Sequence, residues 1–477
     1  MSKEIDRRAM LRRTAGAGAA MALPVRLCDA NDSASQNPRH PNAKAPPDAK
    51  AAKGPLPEIT WFRKVPVRYE ADVAVIGGGV AGVSAACAAA RSGAKVLLVE
   101  RFAVTGGNAT TGGVASFCGE TAGQGEVFDA IIAGLEQFNA VAPYQPYSKK
   151  EARIFDHAIL AVVLQELLLR RRVKMLLHTR FVDVSVKTGR ITECILCGKS
   201  GPEALRAGQF IDCTGEGEIA HRADFETLKG RPEDGLQLPM SMMFFVRHVA
   251  EKSACAQVPA GWFEAIRSEN DLPMTSVWPN GPGSNALKIK IPMFDATDTE
   301  GLTAAEIRAR RRMLEVLDYY QRFEKKPWRL DHCSPQIGIR EGRRIVGDYV
   351  LTLEDLRAGR RFDDAIARGV FYLDGHKPDD DKRTYILKKE ERVVPPYQIP
   401  FRSLVARDGK NLLMAGRCFS ADQLALSSAR VTTSCSMMGQ AAGIAAALCV
   451  QRRCDPRNLD MAAVRRIVEQ RGAKLNV

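Results

Sequence analysis

Three glycines at fixed spacing are the residues of this sequence best suited to hold a phosphate chain. Gly77, Gly79 and Gly82 form a Gly-x-Gly-x-x-Gly motif directly after the apolar run 73–76. In such a turn the first glycine permits a tight bend, the second admits a pyrophosphate, and the third lets a helix pack closely on the strand. Glu100 lies further along the chain, where its carboxylate could accept both hydroxyls of a ribose. These residue types in this order predict a dinucleotide site.

The elements that must position these residues are visible in the same stretch. Residues 73–76 are apolar and β-branched, which is typical of a buried parallel strand. Residues 80–92 are rich in alanine and predict a helix, which Gly93 ends. Residues 94–100 predict the second strand, with the acid at its end. Strand, glycine turn, helix, strand and acid together are far more specific than glycines alone.

Three later segments favour FAD over NAD as the dinucleotide. Residues 106–113 are rich in glycine and threonine, and their backbone N–H groups could approach the second phosphate and the flavin ring. Residues 210–217 predict a further strand that runs into a glycine turn, and residues 411–417 predict another. Residues 437–443 predict the start of an alanine-rich helix, whose N-terminus would suit the electron-rich edge of a flavin.

The residues expected to contact FAD come from all of these segments. No His or Tyr lies in a context that favours a covalent flavin bond, so we expect FAD to be bound non-covalently. The predicted contacts are Gly77, Gly79, Gly82, Glu100, Arg101, Gly106, Gly107, Thr110, Thr111, Gly112, Thr214, Gly215, Gly416, Gly439 and Gln440.

These motifs together resemble one family. The glycine motif and residues 106–113, 212–217, 338–347, 397–404 and 411–443 make the chain similar to the FAD-dependent oxidoreductases related to the flavin-binding component of heterodisulfide reductase. The resemblance implies an α/β fold: a glutathione-reductase-type FAD-binding Rossmann domain with an inserted α+β substrate domain. It says little about the substrate, because the family is chemically diverse.

The domain organisation follows from the same motifs and from composition. We expect two FAD-binding parts that enclose a substrate or cap domain, preceded by a signal and a linker rich in proline and alanine. The predicted limits are 1–30 for the signal peptide, 31–57 for the disordered linker, 70–225 for the first FAD-binding part, 226–400 for the substrate domain, 401–455 for the second FAD-binding part and 456–477 for a C-terminal segment.

Four side chains are candidates for the chemistry. Arg417 and Arg430 follow the last predicted strand and are expected to contact flavin or substrate. Arg340, together with Arg343, could hold an anionic substrate or could pair with a neighbouring glutamate. His332 is a candidate proton carrier, or alternatively an ordinary core or surface histidine.

The predicted activity is hydride transfer between an unidentified organic substrate and the flavin. The alternative is an FAD-binding electron-transfer component of a larger redox complex without substrate chemistry of its own. The electron acceptor could be O₂, a quinone or a protein, and the sequence leaves the oligomeric state open. The net charge of +14 could favour an anionic ligand or could be spread over the surface. No basic stripe with aromatic residues indicates nucleic-acid binding, and no apolar run after the N-terminus predicts stable membrane insertion.

The twelve cysteines do not suggest a metal site. Cys194 and Cys197 form the one C-x-x-C motif, and they fall on a predicted strand where residues three apart face opposite sides. An iron–sulfur cluster needs about four converging thiolates, and the electron-bifurcating relatives have clustered cysteines that this sequence lacks. We therefore expect buried free thiols and no metal.

The N-terminus resembles a twin-arginine export signal. Arg7 and Arg8 precede a weakly hydrophobic stretch rich in glycine and alanine, residues 14–25. The alternative is a plain basic tail, in which case the protein stays in the cytoplasm. A working signal predicts a periplasmic or exported protein that folds around its cofactor before export.

Overall fold

A seven-stranded sheet built on the strand of the glycine motif is the frame of the fold. The computed structural model describes residues 59, 61, 63–146, 152–250, 258–259 and 261–477. The predicted signal peptide and linker, 1–30 and 31–57, lie outside the described residues. The compact unit Lys64–Val477 holds all of the elements that position the candidate site.

The elements of the described residues are short strands and nine α-helices. The strands are β1 Val67–Ile76, β2 Val96–Val99, β3 Ser116–Phe117, β4 Arg153–Ile154, β5 Lys174–Leu176, β6 Arg180–Lys187, β7 Arg190–Gly198, β8 Gly201–Asp212, β9 Thr227–Lys229, β10 Met240–His248, β11 Thr275–Pro279, β12 Ser284–Ile291, β13 Trp328–Cys333, β14 Arg343–Ile345, β15 Ala365–Gly369, β16 Tyr397–Pro400 and β17 Leu412–Met414. The helices are α1 Val80–Arg91, α2 Glu126–Gln137, α3 His157–Arg170, α4 Glu218–Arg222, α5 Thr299–Arg322, α6 Leu353–Arg357, α7 Gln423–Ala429, α8 Thr432–Arg452 and α9 Met461–Gln470.

The first sheet has the strand order β5-β2-β1-β8-β7-β6, with β17 also paired to β8. Strands β5, β2, β1, β8 and β17 are parallel, and the β6–β7–β8 pairs are antiparallel. Val73, Ala74 and Val75 in β1 are completely buried, which explains why this strand is a continuous apolar run. The predicted order of strand, glycine turn, helix and strand is confirmed by β1, α1 and β2.

The second sheet is antiparallel, with the order β11-β12-β10-β13, and the long helix α5 packs on it. Its core runs from Met240 to Ile339, separate from the core of the first sheet. The chain re-enters the first core at Ile345, well before residue 401, where the sequence placed the second FAD-binding part. Strands β15 and β16, which pair with each other, therefore belong to the same core as the first sheet, although the sequence assigned them to the substrate domain.

Helix α5 has a side-chain cap, and helix α8 begins earlier than predicted. Helix α5 begins at Thr299, because the Asp298 side chain accepts a hydrogen bond from the N–H of Gly301. Thr303 lies inside the helix, where its hydroxyl donates to the carbonyl of Thr299 at 2.8 Å. Helix α8 begins at Thr432, before the predicted segment 437–443.

Helix α8 is an apolar segment that the sequence analysis did not consider as a possible membrane span. The helix has 21 residues, and an 18-residue window within it has a mean hydropathy of 1.3, so the helix is long and apolar enough to cross a membrane. However, 89% of that window is buried inside the protein, as in the core helix of a globular fold.

Candidate functional site

A cavity opens at the carboxyl ends of β1, β2 and β8, beside the loop that follows β17. This end of a parallel sheet is where open α/β folds usually bind their ligands. The structure brings most of the predicted residues together there. Those that line the cavity are Gly77, Gly79, Glu100, Arg101, Gly106, Gly107, Thr214, Gly215, Gly416, Arg417 and Arg430.

The three motif glycines have different tasks. Gly77 has φ +100°, and a Cβ there would lie 2.4 Å from the carbonyl oxygen of Cys213 on the adjacent strand. A Cβ at Gly82 would lie 1.9 Å from the carbonyl oxygen of Gly77, so this glycine allows the turn and helix to pack. A Cβ at Gly79 would meet no atom within 4 Å and would enter the cavity. Gly79 is also the N-cap of α1, so the open space lies at the positive end of a helix.

Glu100 is buried beside this turn. Its carboxylate accepts hydrogen bonds from the N–H groups of Gly78 at 2.7 Å and Phe102 at 2.9 Å. Burial raises the pKa of its carboxyl, and the two N–H donors oppose that shift. The carboxylate is therefore fixed in position at the cavity wall.

The loop after β2 is stabilised by its own side chains. The Thr110 hydroxyl donates to the carbonyl of Thr105 at 2.8 Å, and the Thr111 hydroxyl donates to the carbonyl of Gly107 at 2.9 Å. A Cβ at Gly112 would lie 2.8 Å from the Cα of Asn108. These three predicted contacts shape the loop from behind rather than line the cavity.

Asn108 is a lining residue that the sequence analysis missed. Its amide donates to the carbonyl of Ile339 at 2.8 Å, which ties the loop to the second sheet region. A single asparagine in a loop rich in glycine and threonine gives no pattern from which this contact could have been predicted.

The turn after β8 is organised by the completely buried Asp212. This carboxylate accepts from the hydroxyl of Thr214 at 2.7 Å and from the N–H of Ile219 at 2.9 Å. Glu216 follows in the same turn and pairs with both Arg101 and Arg417 at 3.4 Å. The two arginines are thus held at the cavity wall by one carboxylate.

Gly439 and Gln440 are buried but do not line the cavity. A Cβ at Gly439 would lie 2.1 Å from the carbonyl oxygen of Ala81, so this glycine lets α8 pack against α1. The Gln440 side chain accepts from the N–H of Val127 at 3.2 Å and donates to the carbonyl of Arg471. The cavity is reached instead by Thr432, in the first turn of α8.

The catalytic candidates do not all converge. Arg417 and Arg430 line the cavity, and each has a buried Nε without a partner among the described residues. His332 is exposed, stacks on Phe245 with ring centroids 4.4 Å apart, and has its Nδ1 2.9 Å from the carboxylate of Asp331. The structure does not place His332 at the cavity.

The arginines around residue 341 have separate partners. Arg340 is buried and donates to the carbonyl of Pro239 at 2.7 Å. Arg343 donates to the carbonyl of Thr297 at 3.4 Å. The alternative that either one pairs with Glu341 is wrong, because the buried partner of Glu341 is Arg344.

Three charged or polar side chains near Arg430 were not recognised in the sequence. Asp374 accepts from Arg430 at 3.0 Å and from His376 at 3.2 Å, and Lys288 lies in the same charged neighbourhood. Lys288 and Asp374 come from distant segments and follow no motif, so their proximity could be found only from the fold. The one local hint of a polar site was the Asp-Gly-His sequence at 374–376, which follows aromatic residues.

No group of three or more His, Cys, Asp or Glu side chains in the described ranges could hold a metal ion. The ten cysteines located there are free. Cys194 is buried and Cys197 is exposed, as the alternation along β7 requires. The absence of iron and sulfide stays a prediction.

The fold and the cavity define a dinucleotide-binding α/β protein. Comparison with protein families then identifies the family of dinucleotide-binding proteins to which the chain belongs. Residues 72–468 match the family of FAD dependent oxidoreductases, and the chain belongs to that family. FAD is therefore its cofactor, and the open space at Gly79 beside Glu100 fits the pyrophosphate and ribose of that group. No curated protein sequence matches the chain.

Several solved structures are similar at low sequence identity. The anhydrotetracycline hydroxylase OxyS from Streptomyces rimosus is 14% identical with a TM-score of 0.45, over 84% of this chain and 67% of that one. A geranylgeranyl bacteriochlorophyll reductase-like protein from Thermoplasma acidophilum is 12% identical with a TM-score of 0.46, over 85% of each chain. The flavin-dependent brominase Bmp2 is 12% identical with a TM-score of 0.43, over 84% of this chain and 83% of that one.

Proposed function

We propose that this FAD-dependent oxidoreductase transfers a hydride between a small organic substrate and non-covalently bound FAD. The observation that carries the proposal is the backbone at Gly79, which borders empty space at the N-terminus of α1. When bound, FAD supplies a ring that can accept or release a hydride. The protein's part is to hold that group, to orient the substrate and to limit the access of water.

The residues that would hold the cofactor come from an early and a late segment of the chain. The N–H groups at the start of α1 would face the pyrophosphate, and Glu100 would accept the hydroxyls of a ribose. Arg417 and Arg430 would offer their unpartnered Nε–H groups to acceptors on the cofactor or the substrate.

We also propose two finer features of the relationship. The first is a glutathione-reductase-type FAD domain, which is supported by the parallel strands β5-β2-β1-β8 and the second sheet inserted between β8 and β17. The second is a relationship to the flavin-binding component of heterodisulfide reductase, which rests on the motifs between Gly77 and Gly443.

The proposed partners are a small-molecule substrate and an electron acceptor that is O₂, a quinone or a protein. We further propose export by the twin-arginine route, on the basis of Arg7 and Arg8. That route accepts proteins that have already folded around a cofactor.

The central test is cofactor release and its loss in one variant. Purified protein should be yellow and should release FAD, not FMN or NAD, on heating. Gly79→Val should abolish FAD retention, because the side chain would occupy the space of the pyrophosphate. The same variant should keep the melting temperature of the FAD-free protein, since a Cβ there meets no neighbour within 4 Å.

Gly208→Ala is the matched control, because that glycine lies in β8 outside the cavity. It should retain FAD. A colourless wild-type protein that cannot be reconstituted with FAD would refute the proposal, as would FAD retention by Gly79→Val. An anaerobic screen of organic compounds that follows flavin bleaching separates the enzyme from an electron-transfer component, which no compound would bleach.

A further inference from the structure

A group of charged side chains lies next to the FAD cavity, and binding of the dinucleotide does not account for it. We call it the Asp374 cluster and define it as Lys288, Arg340, Asp374, His376 and Arg430. These residues come from β12, from the segments after β13 and β15, and from the junction of α7 and α8. The fold brings them together although they are widely spaced in the sequence.

Lys288 reaches the cluster from the second sheet. It pairs with Met243 across β12 and β10, so the two side chains lie on the same face of the sheet. Met243 packs on that face with Phe245 and with Ala115, which precedes β3. Lys288 therefore points from the second sheet toward the FAD-binding part of the molecule.

Asp374 is the organising carboxylate. It accepts from Arg430 at 3.0 Å and from Nε2 of His376 at 3.2 Å. Arg340 lies nearby, held by the carbonyl of Pro239 at 2.7 Å and by the hydroxyl of Ser241. Both of these bonds use one nitrogen of Arg340, and a guanidinium has further N–H donors for a ligand.

The charges of the cluster do not balance. Lys288, Arg340 and Arg430 are three cations, and Asp374 is the one carboxylate among them, so two positive charges are uncompensated. Burial and the nearby arginines lower the pKa of Lys288 to about 8, which leaves it mostly protonated at neutral pH. The neighbouring Lys290 is different, because it donates to the carbonyl of Lys382 at 3.1 Å and lies beside Asp380.

Two polar atoms of the cluster lack partners within the described part of the chain. His376 is 1% exposed, and its Nδ1 makes no hydrogen bond. The buried Nε of Arg430 has none either. Buried polar groups are rarely left in this state: an anionic ligand beside Arg430 would accept from its Nε, whereas Nδ1 of the neutral His376 is itself an acceptor and needs a donor.

The cluster is reachable from the FAD cavity. Arg430 lines that cavity and retains 14% of its side-chain surface, while Asp374 retains 16%. Lys288 is only partly buried. Arg430 therefore connects the cluster to the cofactor cavity.

We propose that the Asp374 cluster binds a carboxylate group of the substrate, so that the enzyme acts on organic acids. This inference rests on the proposed function, because it assigns the substrate class of the same site. A carboxylate offers two oxygens in a plane, which suits the fork of a guanidinium together with an ammonium. It also supplies negative charge where two positive charges are uncompensated. Lys288 and Arg430 are the expected direct ligands, with Asp374 holding Arg430 in place.

The test is calorimetric titration of the FAD-loaded protein with acetate and benzoate, and with acetamide and benzamide as neutral counterparts. At least one carboxylate should bind about tenfold or more tightly than its amide, because only the carboxylate relieves the excess charge. Lys288→Met should weaken that binding by about tenfold or more, and Lys288→Arg should restore most of it. Lys290→Met is the matched control from the same face of the same strand and should change the affinity by less than about twofold.

The outcomes separate this inference from the proposed function. A protein that fails to bind FAD refutes the proposed function and ends the test before the titration. A protein that binds FAD but treats carboxylates and amides alike overturns the carboxylate site alone. Equal losses in Lys288→Met and Lys290→Met also overturn it, because they would show a general effect of charge. Melting temperatures of the variants confirm that each is folded.

Discussion

Burial sets the ionisation of individual side chains around the cavity. Arg340 is surrounded by protein, and burial, with the nearby Arg430, lowers its pKa to about 10. Burial lowers the pKa of His376 to about 4, although the neighbouring Asp374 opposes that shift. Asp374 itself has a lowered pKa, because the hydrogen bond from His376 and the positive charges of Arg430 and Arg340 outweigh its burial. The carboxylate is thus charged and the imidazole neutral at neutral pH.

His376 gives a prediction about stability and pH. Its pKa is about 4 in the folded protein and about 6.5 in an ordinary histidine, so between these values only the unfolded chain binds the proton. The free energy of unfolding should therefore fall as the pH decreases from about 6.5 to about 4, by roughly 3 kcal/mol from this residue alone. His376→Gln keeps an N–H donor for Asp374 and removes the titration, so chemical denaturation across this range should show a shallower loss.

Burial also lowers the pKa of His157 and His221, and these histidines are present in both proteins. The difference between the wild-type and His376→Gln profiles therefore isolates the contribution of His376. His178→Asn is the control, since this residue is exposed and has φ +51°, which asparagine tolerates. Its profile should match that of the wild type. A His376→Gln profile that is parallel to the wild type would show that this histidine is not held neutral.

At the scale of elements, the contact between α1 and α8 decides how closely the sheet is covered. A Cβ at Gly443 would lie 2.1 Å from the carbonyl oxygen of Ala85, as one at Gly439 would from Ala81 one turn earlier. In an exposed helix, Gly→Ala would add up to about 1 kcal/mol of stability. Gly443→Ala should instead lower the free energy of unfolding by about 1–3 kcal/mol, because the methyl group overpacks the helix interface.

The test is whether Gly443→Ala raises or lowers the stability of the protein. Thermal unfolding of the FAD-free protein should show a larger fall in melting temperature for Gly443→Ala than for Gly208→Ala, whose Cβ would lie 3.2 Å from the carbonyl oxygen of Asp72. A melting temperature above that of the wild type would mean that α1 and α8 can separate freely, contrary to the packing described.

The same element shows what the sequence could and could not predict. The strand–glycine–helix–strand unit was predictable because the apolar runs of its strands, the spacing of its glycines and the position of Glu100 are all local signals in the sequence. The glycines of α8 were taken for a helix start, since a glycine that serves packing and one at a helix end look alike in a sequence. Lys288, Asp374 and His376 were missed because only the tertiary fold brings β12 beside the segment after β15.

At the scale of the whole molecule, the cofactor site is assembled from distant parts of the chain. Gly79 and Arg417, which line the same cavity, lie near the two ends of the family match at 72–468. Strand β17 pairs with β8, and the loop that follows β17 contributes Gly416 and Arg417 to the cavity. FAD can therefore be held in full only after nearly the entire chain has folded.

This assembly gives the export prediction its physical basis. A route that threads an unfolded chain would separate the protein from its cofactor, whereas the twin-arginine route carries folded proteins. Replacing both Arg7 and Arg8 with Lys should leave the precursor in the cytoplasm, with FAD bound. Cell fractionation followed by immunodetection and flavin fluorescence measures both properties at once.

Arg12 and Arg13 provide the control, because their replacement with Lys leaves the Arg7–Arg8 pair intact and keeps the same net charge. That variant should reach the periplasm as the wild type does. Periplasmic protein from the Arg7→Lys, Arg8→Lys variant would show that the pair is not the export signal. Retention of both variants would point to the total number of guanidinium groups, rather than to a paired motif. Because each variant still carries residues 72–468, FAD content should be equal in all three, and any difference in location can be assigned to the N-terminus.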